Sequence, residues 1–292
     1  QTCALPIWRV GRPIEISRVL CRAEDVGELT AQVPDGCLVH DVDQFFTDTA
    51  DCGVILELAG GTTFAKTVVE RALAAGQHVV TANKALLAAH GPELFKLARR
   101  HGVSIAFEAS CGGGIPIITS MQFNLIANRI TAMYGILNGT CNYILTQMTG
   151  EGKAYDTALA EAQAAGYAEA DPTLDVTGGD SAHKLAILAS LAFGCALTDG
   201  QIPCRGVDEL ALDDINFGAE LAYAIKLLAI AEQHEGGLAL RIAPCFVDRD
   251  EQLAQVGGSF NALSIFGHAV GHTLYYGRGA GRSEERRVGK EC

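Results

Sequence analysis

Short apolar runs alternate with stretches of helical period along the first part of the chain. Ile14–Cys21, Val54–Leu58, His78–Thr81 and Ser104–Phe107 are β-rich runs of single-strand length. Between them, Phe64–Ala75 places Ala65, Val68, Val69 and Ala72 on one helical face and stops at Gly76, and Pro92 opens a helix that runs to about Arg100 before Gly102. This β-α-β-α order predicts a parallel sheet covered by helices. The unbroken run Val54-Ile55-Leu56 suits a strand buried on both faces.

The pattern changes at Ser110. Cys111-Gly112-Gly113-Gly114-Ile115-Pro116 is a glycine loop with proline near the next helical run, Ile117–Ala127, and forms a natural junction between domains. Beyond it Ile130–Leu137 reads as a strand, Asn142–Met148 and Ala154–Ala165 as helices, and Gly179 to Phe193 as a long helix. Ala219–Glu232 also carries a helical pattern, Leu238–Val247 reads as a strand, and Val256–Tyr276 is expected to add further strands. The expected fold class is α/β: a Rossmann-like parallel-sheet domain over residues 1–110, then an α+β domain over 111–276. Residues 277–292 read as an atypical charged tail.

Parallel sheets of this kind bind a dinucleotide through a G-x-G-x-x-G turn after the first strand, with the pyrophosphate on a helix N-terminus. No such turn occurs here, and Ile14–Cys21 takes the place of a second strand, so the first domain is expected to lack its first strand and glycine turn. An acidic residue at the end of that second strand would bond the ribose hydroxyls of NAD. The strand ends Cys21-Arg22 instead, which points to a 2′-phosphate and NADP or to a solvated arginine.

Composition narrows the partners. The 292 residues are 49% hydrophobic, enough for sizeable cores, and 22 Lys+Arg against 34 Asp+Glu give a net charge of −12. That leaves no basic surface for nucleic acid. Apolar stretches such as Leu185–Phe193 are far shorter than a membrane helix needs. The ten cysteines have no C-x-x-C pair and no zinc-ligand spacing, which suits reduced thiols in a cytoplasmic protein. Gln1–Val10 lacks an initiator methionine and any secretory pattern, so export is not expected. The stretch Arg282 to Cys292 carries seven charges directly after Tyr276–Gly281; this tail, and Gln1–Trp8, read as ends foreign to the native sequence.

Candidate chemistry concentrates in Gly166 to Lys184, where four carboxylates precede an apolar helix. Ile187, Leu188 and Leu191 share a helical face with Lys184, so its ammonium emerges from a buried stripe, and Asp180 lies one turn earlier in i,i+4 reach. These residues suit a proton carrier beside carboxylates that recognise an amine. Two plainer roles compete: Thr177-x-x-Asp180 fits a capping box, and Lys184 could only cover core surface with its stem. Lys84, in Thr81-Ala82-Asn83-Lys84, follows a strand at the sheet edge where ligands collect, or simply starts a helix. Cys141, in Asn138-Gly139-Thr140-Cys141-Asn142, lies near a helix start that could lower its pKa, which admits a thiol-dependent aldehyde dehydrogenase, although no histidine is identifiable as its base.

Thr81–Leu87, Glu108–Pro116, Asn138–Leu145 and Gly166–Lys184 together resemble the motifs of the homoserine dehydrogenase family, in order, and the likeness spans about Ile14 to Gly281. The resemblance implies reversible oxidation of L-homoserine to L-aspartate 4-semialdehyde with NAD or NADP, in the route to threonine and methionine. It implies Lys184 as catalytic proton carrier with Asp180 and Lys84, and Glu169 on the substrate amine. Asp175, Tyr167, Gly139 and Thr140 match further substrate positions. Lys84, Gly60, Gly279 and Gly281 match cofactor positions, and Glu108, Cys111, Gly113 and Ile115 would bind a monovalent cation, sodium, through main-chain carbonyls. The resemblance makes 111–276 the substrate and dimerisation domain, expects a segment returning to the first domain where 277–292 stand, and implies a homodimer or homotetramer. The unmatched ends keep a second possibility in view, a folded, self-associating, non-catalytic fragment.

Overall fold

The computed structural model describes residues 14–30 and 33–279. Strands β3 (Val54–Glu57), β4 (His78–Thr81) and β5 (Ile105–Ala106) form a parallel sheet in that order. Helix α2 (Phe64–Ala74) buries Ala65, Val68, Val69 and Ala72, the face its spacing predicts. Upstream, β1 (Val19–Leu20) and β2 (Leu38–Val39) make a separate parallel pair, followed by α1 (Val42–Asp48), which is capped by the Asp41 carboxylate on the Gln44 N–H at 2.7 Å. Only Val19–Leu20 of the predicted Ile14–Cys21 strand is paired, and β5 is likewise shorter than Ser104–Phe107.

Helix α3 spans Lys84–His101, so it does not begin at Pro92. Asn83 starts it: the side-chain oxygen accepts the Leu86 N–H at 3.0 Å, satisfying a donor that the helix leaves free. Pro92 lies inside the helix, and the C-terminus closes on left-handed Gly102.

The second sheet is antiparallel, ordered β10-β9-β6-β7-β8, from β6 (Ile130–Ile136), β7 (Tyr223–His234), β8 (Gly237–Asp248), β9 (Phe260–Gly267) and β10 (Gly271–Arg278). The helix expected over Ala219–Glu232 is largely β7, preceded by a short helix that reaches Glu220. Ala224 through Ala231 is buried without a break, because one face meets helices and the other a second apolar cluster with Ile136, Val247 and Leu253. A strand buried on both faces loses its alternation, and its Ala and Leu content imitates a helix. Against the first face pack α4 (Gly139–Glu151) and α6 (Gly179–Phe193), whose Ile144, Leu145, Leu185 and Leu188 form the deepest core, and α5 (Tyr155–Ala164) packs on α4. The run expected as one helix over Ile117–Ala127 is a short helical turn at Ile117–Thr119 continued by a wider turn at Ser120–Asn124. No helix among the described residues is long and apolar enough to cross a membrane.

Candidate active site

The turn from β6 into α4 is the floor of the site. Asn138 caps α4, its side-chain oxygen accepting the Cys141 N–H at 2.8 Å, and its amide nitrogen donates to Asp175 Oδ1 at 2.7 Å and Asp180 Oδ2 at 2.8 Å. One asparagine thus starts a helix and fixes two carboxylates. Thr140 donates to the Tyr167 carbonyl, and the Tyr167 ring lies on Tyr143 at 4.8 Å between centroids.

Asp180 does not cap α6. The cap position is left-handed Gly178, and the Thr177 hydroxyl is spent on the Thr173 carbonyl at 2.7 Å. The Asp180 side chain, 5% exposed, faces inward instead. Lys184 Nζ donates to its Oδ2 at 2.7 Å and to the Leu137 carbonyl at 2.7 Å, while Lys84 Nζ stands 3.2 Å from its Oδ1. Lys84 occupies both predicted places at once: it follows β4 and opens α3, bringing a charge from the parallel unit to a carboxylate of the antiparallel one.

Electrostatics follow from this packing. Burial alone would raise the Asp180 pKa, but Lys184 and Lys84 outweigh it and hold the carboxyl well below the usual range. For Lys184 burial pulls downward, and Asp180 reverses it, leaving the ammonium above its ordinary value. Asp175 goes the other way, raised by burial and by the Asp180 charge.

A cleft of about 210 Å³ opens over these groups, lined by Lys84, Asn138, Gly139, Thr140, Tyr167, Asp175, Asp180 and Lys184 and closed on the far side by Ser259, Asn261, Arg278 and Gly279. Seven of the predicted catalytic and substrate residues therefore meet in one cavity. Glu169 is exposed and is not among the lining residues. Gly60 lies apart, after β3, where its N–H bonds Glu57 at 3.0 Å, and Gly281 is outside the described residues. Asn138, Ser259, Asn261 and Arg278 are lining residues that sequence reasoning does not single out; of these only Asn138 carries a signal, a capping residue before a helix.

Cys141 is fully buried, its thiol donating to the Asp175 carbonyl at 3.2 Å, and burial followed by the Asp175 charge pushes its pKa well up. A low-pKa nucleophile needs the reverse. Around the glycine loop, the Glu108 carboxylate accepts the N–H groups of Ile118 and Thr119, both at 2.9 Å, and the Thr119 hydroxyl. Among the described residues no cluster of His, Cys, Asp and Glu side chains could hold a metal, so a cation there would rely on main-chain oxygens.

A parallel α/β unit is thus joined to an antiparallel α+β unit, with two lysines on one carboxylate at the junction. The homoserine dehydrogenase family profile matches residues 116–285, and that of the homoserine dehydrogenase NAD binding domain matches 7–108. The chain belongs to the homoserine dehydrogenase family. It is 46% identical over 273 residues to homoserine dehydrogenase of Pseudomonas aeruginosa, covering 94% of this chain and 62% of that protein. The solved homoserine dehydrogenase of Thiobacillus denitrificans superposes with a TM-score of 0.88 at 42% identity, over 95% of this chain and 64% of that one. A hyperthermophilic archaeal homoserine dehydrogenase mutant in complex with NADPH gives 0.73 at 26% identity, over 91% of this chain and 78% of that one. The chain thus spans a little over three-fifths of the curated relative, 62% of its length.

Proposed function

We propose that this chain carries the core of an NAD(P)-dependent homoserine dehydrogenase, interconverting L-homoserine and L-aspartate 4-semialdehyde toward threonine and methionine, with Lys184 as proton carrier. The observation that carries the reading is the Lys184 ammonium, fixed from two sides by Asp180 and the Leu137 carbonyl at 2.7 Å each and lining the cleft. Converting an alcohol to a carbonyl removes a proton and a hydride from adjacent atoms, so the group that handles the proton must be held at the substrate oxygen. Asp180 keeps Lys184 charged, which suits delivery of a proton to the aldehyde oxygen; the reverse direction requires Lys184 to lose its proton first. Thr140, Tyr167 and Asp175 would orient the amino acid, with Glu169, exposed outside the lining, as the amine-binding carboxylate that the resemblance assigns.

A nicotinamide, when bound, supplies the hydride acceptor. Lys84, Gly60 and Gly279 are the described residues that would hold it. Gly60 and its neighbour Gly61 have φ of +74° and +70°, and a Cβ on either would meet nothing within 4 Å, which leaves room for a dinucleotide to approach the main chain. Arg22, largely exposed, is paired with Glu24 at 2.8 Å and Asp25 at 2.9 Å, so a 2′-phosphate at this strand end would have to compete with both carboxylates. A sodium ion on the carbonyls of Glu108, Cys111, Gly113 and Ile115 belongs to the same reading; oxygen donors suit a hard cation, and of the four the Ile115 oxygen already accepts the Ile117 N–H at 2.7 Å. A homodimer or homotetramer belongs to it too.

The test is reduction of NAD and NADP, followed by absorbance, with L-homoserine, for this chain and for a version extended to the length of its relatives. Turnover by either supports the assignment. Activity confined to the longer version makes this chain a non-catalytic part of that enzyme, and silence in both overturns the reading.

A further inference from the structure

Asn261, on β9, is 1% exposed and forms part of the cleft wall. Its amide nitrogen donates to the Leu137 carbonyl at 2.9 Å, the same oxygen that anchors Lys184. A carbonyl only accepts, so this bond fixes which end of the amide is nitrogen and turns Oδ1 the other way. That Oδ1 is buried and has no hydrogen-bond partner. Buried acceptors in folded proteins are nearly always satisfied, and an orphan calls for a donor that arrives later. Two glycines flank the amide: a Cβ on Gly139 would stand 3.6 Å from Oδ1, and one on Gly279 would overlap the whole group, 2.4 Å from Nδ2 and 2.5 Å from Oδ1, so a larger residue at 279 would displace Asn261.

Of the acceptors around it, Asp180 is the most heavily engaged, while Asp175 keeps one carboxylate oxygen for a further donor. Asp180 holds two lysines and Asn138, and Asp175 Oδ1 holds Asn138 as well. Glu169 is exposed outside the lining. We infer that Asn261 is a ligand-binding residue of this cleft, its Oδ1 accepting an N–H from the ammonium group of a bound amino acid. Resting on the dehydrogenase reading, this adds to it a neutral acceptor for the amine, on β9 and bonded to the same carbonyl as Lys184.

The test is calorimetric titration of the full chain with L-homoserine, L-aspartate and 4-hydroxybutanoate, which has the hydroxyl and carboxylate of homoserine and no amine. Asn261→Leu, of similar shape with no acceptor, is expected to bind L-homoserine at least tenfold more weakly while its affinity for 4-hydroxybutanoate stays within twofold. Asn261→Asp, which keeps an oxygen at Oδ1, is expected to retain the preference for the amine, and it decides the matter if Asn261→Leu does not fold. Equal losses for both hydroxy ligands in Asn261→Leu, no loss in either, or an amine preference abolished in Asn261→Asp would overturn the inference. Wild-type binding of L-aspartate without L-homoserine, lost in Asn261→Leu, supports the inference and overturns the substrate assignment. Wild-type chain that binds neither amino acid overturns both.

Discussion

Lys184 and Asp180 are bonded at 2.7 Å within one turn of α6, and the same carboxylate receives Lys84 from the start of α3 at 3.2 Å. The carboxylate is nearly sealed from water, at 5% exposure, so its charge is strongly felt by both cations. Asp180→Asn removes the charge while keeping the shape. It leaves a buried lysine without its counter-ion, a change that costs about 3–5 kcal/mol where pairs are this well buried. Urea unfolding should show that loss, and turnover should fall at least about a hundredfold, the scale of a displaced proton-transfer group. Unchanged stability would mean that the pair is solvated, contrary to its packing.

Lys184→Ala and Cys141→Ser separate two chemistries. Without Lys184, turnover should collapse while cofactor affinity stays near wild type, since the role proposed for the lysine is at the substrate oxygen and not at the cofactor. Cys141→Ser should leave turnover nearly unchanged, because the thiol is buried and only donates to the Asp175 carbonyl, a bond that a hydroxyl can also make. Loss of activity in Cys141→Ser with activity kept in Lys184→Ala would revive a thiol mechanism. The raised Lys184 pKa adds a direction: alcohol oxidation should quicken as pH rises through the alkaline range, because the deprotonated lysine becomes commoner, while aldehyde reduction should hold steady until the lysine loses its proton. Parallel pH profiles in the two directions would count against Lys184 as the carrier.

The site is more legible in the sequence than the sheet that carries it. Asp180 and Lys184 stand out because i,i+4 spacing on an apolar helix leaves few geometries, and α6 has the predicted bounds, Gly179–Phe193. Lys84 is legible as a strand-end residue, but its bond to Asp180 joins distant parts of the chain and no local pattern encodes it. β7 reads as a helix because burial on both faces erases the period of two, and α3 reads short because Pro92 looks like a start when Asn83 is the cap. Asn261 is invisible for a related reason. It sits among apolar neighbours on a strand, and only the register β9 keeps with β6 brings it to the Leu137 carbonyl.

Gly139 is needed for a close approach. A Cβ there would lie 2.8 Å from the Ser259 carbonyl, a main-chain atom that can move only with its loop. Gly139→Ala gains helix propensity, yet the clash with backbone should win, costing about 1–3 kcal/mol as overpacking does. Because Ser259 and Gly139 both line the cleft, KM for L-homoserine should rise more than kcat falls. A variant as stable as wild type with the same KM would show that the loop yields freely.

Lys226 supplies a pH signature independent of catalysis. It lies on β7 at 6% exposure, its ammonium donating to the Val256 carbonyl at 2.6 Å and the Asn142 side-chain oxygen at 3.4 Å. Burial pulls its pKa down to about 8, against about 10.4 for an unfolded lysine. Between those values the unfolded chain binds more protons than the folded one, so folding stability contributed by this group rises with pH across the window. Below about 8 both states are protonated and the cost of burying the charge is fully present. Lys226→Met removes the titration. Measured by urea unfolding at intervals from about pH 7 to about pH 10, wild-type stability should therefore gain on the variant above about pH 8, by at most about 1.4 kcal/mol per pH unit. A difference that stays flat over the whole range would mean that the lysine keeps its proton when buried, held by its two acceptors against the cost of desolvation.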